Sequence, residues 1–140
     1  MKLDSFFKLY LTTRRIYRHI ARAFFQNGYD CLPEHFIILM LLNQKKTMKQ
    51  NEIKLQTIQN KTMLTRAIDK LVGRDLVKRT MDLEDRRANI LEITDKGKTV
   101  FTQLERIYGN IMNKAQKGVS QEDMDTVLES LARILATIEQ

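Results

Sequence analysis

Apolar residues recur every three to four positions over residues 3–26, which is the period of one face of an α-helix. The repeat consists of Phe6, Leu9, Ile16, Ile20 and Phe24. A second helix is predicted over residues 33–42, and Pro33 suits its first turn because proline needs no N–H partner there. This segment is apolar on nearly all sides, so we expect it to be buried.

Two shorter helices are predicted next, over residues 49–57 and 61–74. Asn60 has a side chain typical of an N-cap, so it marks the start of the second one. Two runs with strand character follow, residues 76–80 and 89–93, joined by a long charged connection. This pattern predicts a β-hairpin with a charged tip.

Two helices complete the pattern. Thr94 can cap the first of them, and Gly118 ends it. Ser120 and Asp123 resemble a capping box for the last helix. Together with the first helix of the chain, these two carry apolar stripes wider than so small a domain can cover alone. That excess favours packing against a second copy in a two-fold dimer.

The order of these elements is typical of a winged helix-turn-helix fold, which is mainly α with a small β-hairpin wing. We expect a single domain over residues 1–140, in which residues 45–98 form a DNA-binding lobe. Residues 1–30 and 99–140 are then the dimerisation helices. The second short helix fits a major groove with its small polar and basic side chains, and the hairpin tip reaches the neighbouring minor groove.

The charge distribution favours a nucleic-acid partner. The chain carries a net charge of +7, and residues 45–98 hold 14 basic and eight acidic side chains, whereas residues 99–140 are net −2. A local basic field attracts phosphates, although a solvated basic surface would have the same composition. No apolar run approaches the ~20 residues of a membrane span, and no signal stretch is present, so we expect a cytoplasmic protein without membrane association.

Four segments resemble the multiple-antibiotic-resistance regulator (MarR) family. They are residues 65–71, 76–79, 85–87 and 90–97. The most specific feature is an Asp-x-Arg in the hairpin followed by an ending similar to Leu-Thr-x-x-Gly, in which Ile93 takes the leucine place. The family often has glycine just before the first hairpin strand, where this chain has Asp75.

The resemblance implies a homodimeric transcription regulator that binds a pseudo-palindromic operator in double-stranded DNA. Such proteins usually repress and are released by a small aromatic ligand, an oxidant or a metal. The resemblance also implies that Asp85 and Arg87 brace the wing and that Arg86 or Arg87 enters the minor groove.

Eight residues are the candidate DNA contacts: Lys61, Thr62, Thr65, Arg66, Lys70, Asp85, Arg86 and Arg87. Thr62, Thr65 and Arg66 lie opposite the apolar stripe of the second short helix, the recognition helix of this fold, where side chains can reach base edges. Lys61 and Lys70 are candidates for phosphate contacts, which position a protein without reading sequence. The alternative is that the helix residues simply face solvent and that the wing charges neutralise one another as exposed ion pairs.

Other classes of function have weaker support. Cys31 is the only cysteine, and an oxidation sensor needs an accessible thiolate with a low pKa. His19 and His35 lack a recognised metal-ligand pattern, so we predict no metal or other cofactor. No nucleophile–base motif or phosphate-binding glycine loop predicts an enzyme. Two alternatives stay open: a helical protein-interaction module, and an architectural DNA binder without an effector.

Overall fold

The computed structural model describes residues 4–57 and 60–140. Over these residues the chain forms six helices and one small antiparallel sheet. In chain order the elements are α1 (Ser5–Gln26), α2 (Pro33–Lys45), β1 (Thr47–Lys49), α3 (Gln50–Thr57), α4 (Lys61–Gly73), β2 (Val77–Met81), β3 (Asn89–Ile93), α5 (Asp95–Gln116) and α6 (Gln121–Ile138). The mainly helical fold with a hairpin wing is therefore confirmed.

The predicted helix starts are confirmed by side-chain caps. Asn60, Thr94 and Ser120 each accept a hydrogen bond from the backbone N–H three residues ahead, at 2.8, 2.9 and 3.1 Å. These caps satisfy N–H groups that have no partner within the helix. Asp4 does the same for α1, with its carboxylate 2.9 Å from the backbone nitrogen of Phe7.

The chain divides into two compact units, one ending at Ile107 and the other comprising Tyr108–Gln140. In the first unit α2 is central and contributes Ile38, Leu39 and Leu42, which are fully buried. The Phe36 ring lies 5.6 Å from the rings of both Phe24 and Phe101, measured between centroids. Burial of each such side chain contributes roughly 1.5–3 kcal/mol. The predicted burial of the second helix is confirmed.

The sheet has three strands in the order β1-β3-β2, one more than the predicted hairpin. Met48 of β1 pairs with Leu91 of β3, and both side chains are buried. The predicted helix over residues 49–57 was therefore wrong at Lys49, which is the last residue of β1. A three-residue strand is too short to show a period-two pattern, so periodicity could not identify it.

The turn after α4 uses a left-handed residue. Asp75 has φ +61°, and the Leu76 N–H donates to the carbonyl of Leu71 at 3.0 Å, a closure typical of helix C-termini. Leu76 belongs to this turn, so β2 begins at Val77 rather than at residue 76 and extends to Met81. The glycine usual in the family at position 75 suits this conformation, because glycine has no Cβ penalty there.

The start of α5 packs tightly against the same turn. A Cβ on Gly97 would lie 2.1 Å from the carbonyl oxygen of Leu76. Thr94 donates its hydroxyl proton to the Asp75 carbonyl at 2.6 Å. The Thr-x-x-Gly signature of the sequence therefore holds α5 against the turn that follows α4.

The second unit contains the last part of α5 and all of α6. No residue of α6, which the structure describes throughout, is buried. Its large exposed apolar residues are Met124, Val127, Leu128, Leu135 and Ile138. No helix in residues 4–57 and 60–140 is long and apolar enough to cross a membrane.

The predicted division into a DNA-binding lobe and dimerisation helices concerns function, and it stays a prediction. Residues 1–3 and 58–59 of the predicted ranges lie outside the described residues.

Candidate nucleic-acid interface

The recognition helix α4 presents a polar face, as the sequence predicts. Lys61, Thr62 and Arg66 are exposed, and Thr65 is half-buried. The opposite side of the helix is buried in the core through Leu64, Ala67, Ile68 and Leu71. Because the apolar side fixes the helix, the polar side faces outward as one continuous surface.

A groove of about 700 Å³ separates α4 from the wing, and β1 and α3 contribute to its walls. It brings together four of the predicted residues: Lys61, Thr65, Asp85 and Arg87. Five basic side chains and one acidic side chain line it, so an anionic polymer would meet a net positive surface. Thr62, Arg66 and Arg86 are exposed outside these walls.

Several groove residues were not foreseen. They are Lys49, Gln50, Asn51, Lys54, Arg79 and Asn89. Gln50 donates its side-chain N–H to the Thr65 hydroxyl oxygen at 3.1 Å, which joins α3 to the recognition helix. The basic character of the middle third was the only sequence signal for Lys49 and Lys54, and it did not indicate which side they face.

An ion pair sets the recognition helix against the wing strand β2. Arg79 of β2 donates to the Asp69 carboxylate of α4 at 2.5 Å. The Nε of Arg79 is buried and has no hydrogen-bond partner in the described part of the chain. Asp69, on the outward face of α4, therefore positions that helix against β2.

Lys70 lies apart from the groove. Its Nζ is 3.2 Å from the carboxylate of Asp30 in the α1–α2 connection, and Arg74 binds the same carboxylate. These two partners, Arg74 first, hold the pKa of Asp30 below its usual range. The predicted phosphate contact of Lys70 has no support from this geometry, because its charge is directed toward Asp30.

The wing tip differs from the brace that the family resemblance implies. The Asp85 carboxylate accepts a hydrogen bond from the backbone N–H of Arg87 at 3.0 Å, not from its guanidinium. Within the described residues no ion pair joins Arg86 or Arg87 to an acid. Both arginines are exposed, so their charges are available to a phosphate backbone.

Cys31 and His35 are both buried, in the region where Lys70 and Asp30 meet. Burial raises the pKa of the Cys31 thiol, which disfavours the thiolate that oxidants attack. His35 Nδ1 accepts from the Leu32 N–H at 2.8 Å, and burial, with the Lys70 charge second, lowers its pKa to about 4. In the described ranges no cluster of three metal-ligating side chains occurs.

Comparisons with known proteins agree with this geometry. The family model described as "MarR family" matches residues 33–88, which run from α2 to the end of the wing tip. The HTH-type transcriptional regulator MhqR of Bacillus subtilis (strain 168) is 24% identical over 131 residues, covering 91% of this chain and 89% of MhqR.

Two solved structures share the fold over almost the whole chain. The transcriptional regulator BldR from Sulfolobus solfataricus is 26% identical with a TM-score of 0.76, covering 98% of this chain and 99% of BldR. A mutant MarR from E. coli complexed with operator DNA is 19% identical with a TM-score of 0.80, covering 91% of this chain and 90% of that one. These relatives are regulators rather than enzymes.

Proposed function

Because the chain is a winged-helix transcription regulator of the MarR family, we propose that it binds a pseudo-palindromic operator as a homodimer and represses transcription from it. The recognition helix α4 enters the major groove and the wing tip lies over the adjacent minor groove. The mutant MarR of similar fold was solved with operator DNA, which supports this partner.

The observation that carries the proposal is the basic groove between α4 and the wing. Lys61 and Thr65 on one wall face Arg87 on the other, so one phosphate backbone can contact both elements. Thr62 and Arg66 are exposed on α4, and we assign them to base edges. Lys49 and Lys54 join the proposed phosphate contacts.

The homodimer is supported by the exposed apolar surfaces of α1 and α6. Phe6, Phe7 and Phe25 of α1 are 62, 54 and 72% exposed, and Ile138 of α6 is 74% exposed. Large apolar patches on a protein surface mark interaction sites. The two helices also have complementary charge, since α1 carries five basic and no acidic residues and α6 carries four acidic residues and one basic residue.

A signal that releases the protein from DNA would end repression. We favour a small molecule over an oxidant, because the Cys31 thiol is buried and its pKa is raised. We assign the protein to the cytoplasm, where it meets DNA.

The direct test is binding to a duplex enriched by the protein from a randomised DNA pool, followed by fluorescence anisotropy with a scrambled duplex as control. We expect at least about a hundredfold preference for the enriched duplex and a steep loss of affinity with salt. Equal and weak binding to both duplexes would contradict the proposal. It would favour a protein-interaction or architectural role.

The oligomeric state is tested by sedimentation of Leu128→Glu, which places a charge in the apolar stripe of α6. We expect it to dissociate the dimer at micromolar concentration. Thr126→Glu adds the same charge on the polar side of α6 and serves as the control. A Leu128→Glu protein that stays dimeric would remove α6 from the interface.

A further inference from the structure

Asp82 is a buried acidic residue at the base of the wing tip, immediately after β2 ends. Its carboxylate lies 3.2 Å from Lys49 Nζ and accepts the backbone N–H of Glu84 at 3.0 Å. Its own N–H donates to the carbonyl of Ala88 at 3.0 Å. One residue therefore closes the tip loop and connects it to another strand.

A buried carboxylate is unfavourable unless it is paired and hydrogen-bonded. The Glu84 N–H and the Lys49 ammonium meet that requirement, and together they hold the pKa of Asp82 below its usual range. Lys49 belongs to β1 and directly precedes Gln50, which donates to Thr65 of the recognition helix. The contact thus links the wing tip to the start of the helix-turn-helix.

Asp85 has a more local role. Its carboxylate accepts the Arg87 N–H, and its carbonyl accepts the Ala88 N–H at 2.9 Å. Both hydrogen bonds stay inside the tip, so they shape the turn without joining it to another element.

We propose that Lys49 and Asp82 form the pair that positions the wing over DNA, an inference that rests on the proposed function. With the tip held by Asp82, Arg87 stays on the groove wall opposite Lys61. Lys49 lines the same groove, and its pairing with Asp82 withholds part of its charge from the phosphates.

Breaking the Lys49–Asp82 pair should affect binding to the enriched duplex and to a scrambled duplex differently. Asp82→Asn keeps an acceptor for the Glu84 N–H but breaks the ion pair. The tip then loosens, which lowers affinity for the enriched duplex. The freed Lys49 charge maintains or raises affinity for a scrambled duplex, because that binding depends on charge alone. A general loss of structure would lower both affinities.

The first arm of the test uses the protein without DNA. We expect Asp82→Asn and Lys49→Met each to accelerate amide hydrogen exchange at residues 82–88 by about fivefold or more. Lys49→Arg preserves the charge and should stay near wild type, and Lys98→Met is a matched charge loss on α5. Unchanged exchange in both Asp82→Asn and Lys49→Met would overturn the proposal.

The second arm measures affinity for the enriched and scrambled duplexes. We expect Asp82→Asn to lower the ratio of the two affinities by about tenfold, mostly through the enriched duplex. A parallel loss on both duplexes, or an unchanged ratio, would overturn the positioning role. If wild type enriches no duplex at all, the proposed function fails, while the exchange arm still decides whether Lys49 and Asp82 hold the tip.

Discussion

Gly97 of α5 lies directly against the carbonyl oxygen of Leu76, at a distance that leaves no room for a side chain. A Cβ at position 97 would be 2.1 Å from that oxygen and 2.8 Å from a side-chain carbon of Ile93. The neighbour is backbone that also accepts the Thr94 N–H at 3.1 Å, so it cannot move freely.

We therefore expect Gly97→Ala to lower the free energy of unfolding by about 2–4 kcal/mol, because the overlap forces backbone shifts. Urea unfolding at fixed protein concentration measures this. Gly109→Ala is the control in the same helix, since a Cβ there meets nothing within 4 Å. It should be neutral or stabilising by up to ~1 kcal/mol. Equal effects of the two substitutions would contradict the packing argument.

Asp75 adopts a left-handed conformation that side chains disfavour, with φ +61°. We expect Asp75→Gly to raise the free energy of unfolding by about 0.5–1 kcal/mol, since glycine adopts this conformation without a Cβ clash. Asp75→Val should destabilise, because a β-branched residue is least tolerated there. Thermal unfolding compares the midpoint temperatures of both variants with that of the wild type. A valine variant more stable than wild type would contradict the left-handed conformation of residue 75.

The residues that sequence could predict are those whose role is local. Asn60, Thr94 and Ser120 cap helices through atoms three residues away, so spacing alone identifies them. Gly97 was recognised as part of a signature, but its reason is a contact with Leu76, 21 positions earlier, which only the fold shows.

The candidate site was predicted in part for the same reason. Lys61, Thr65 and Arg87 line the groove, but Lys70 turns toward Asp30, 40 positions away. The Lys49–Asp82 pair spans 33 positions and depends on β1, a strand too short for periodicity to detect. An ion pair between residues far apart in the chain leaves no pattern in the sequence. The composition and the spacing of charged residues are the same whichever residues pair in the fold.

The lowered pKa of buried His35 predicts that the protein loses stability in mild acid. Its pKa is about 4 in the folded protein and 6.5 in the unfolded chain, so the unfolded chain binds the proton first as pH falls. The contribution of neutral His35 to the free energy of unfolding is fully present above pH 6.5 and is lost as the pH falls toward 4. The total loss is on the order of 3 kcal/mol. The nearby charges oppose one another, since Lys70 and Arg74 lower the pKa whereas Glu34 and Asp30 raise it.

Urea unfolding at several pH values between 4 and 7 measures how the free energy of unfolding depends on pH. His35→Gln removes the titrating group and keeps an acceptor for the Leu32 N–H, so its profile should be flatter. A wild-type profile that is flat over this range would contradict burial of a neutral His35.

Substitution of Arg87 tests whether the wing contacts DNA. Arg87→Ala should weaken binding to the enriched duplex by more than a few-fold and leave the dimer intact, because the side chain is exposed on the groove wall. One lost phosphate contact per copy lowers the salt slope by about two for a dimer. Arg106→Ala on α5 removes the same charge outside the groove and should change little. Identical affinities and slopes for Arg87→Ala and wild type would exclude the wing from DNA contact.

In the proposed complex, two copies of the protein bind one operator, each through its own α4 and wing. Hydroxyl-radical footprinting of the enriched duplex shows whether they do. We expect a two-fold symmetric pattern, with two protected segments centred about 10 base pairs, or one helical turn, apart. In Arg87→Ala the protections that the wings provide should weaken selectively. A single asymmetric protected segment, or uniform protection along the duplex, would exclude a two-fold symmetric dimer on the operator.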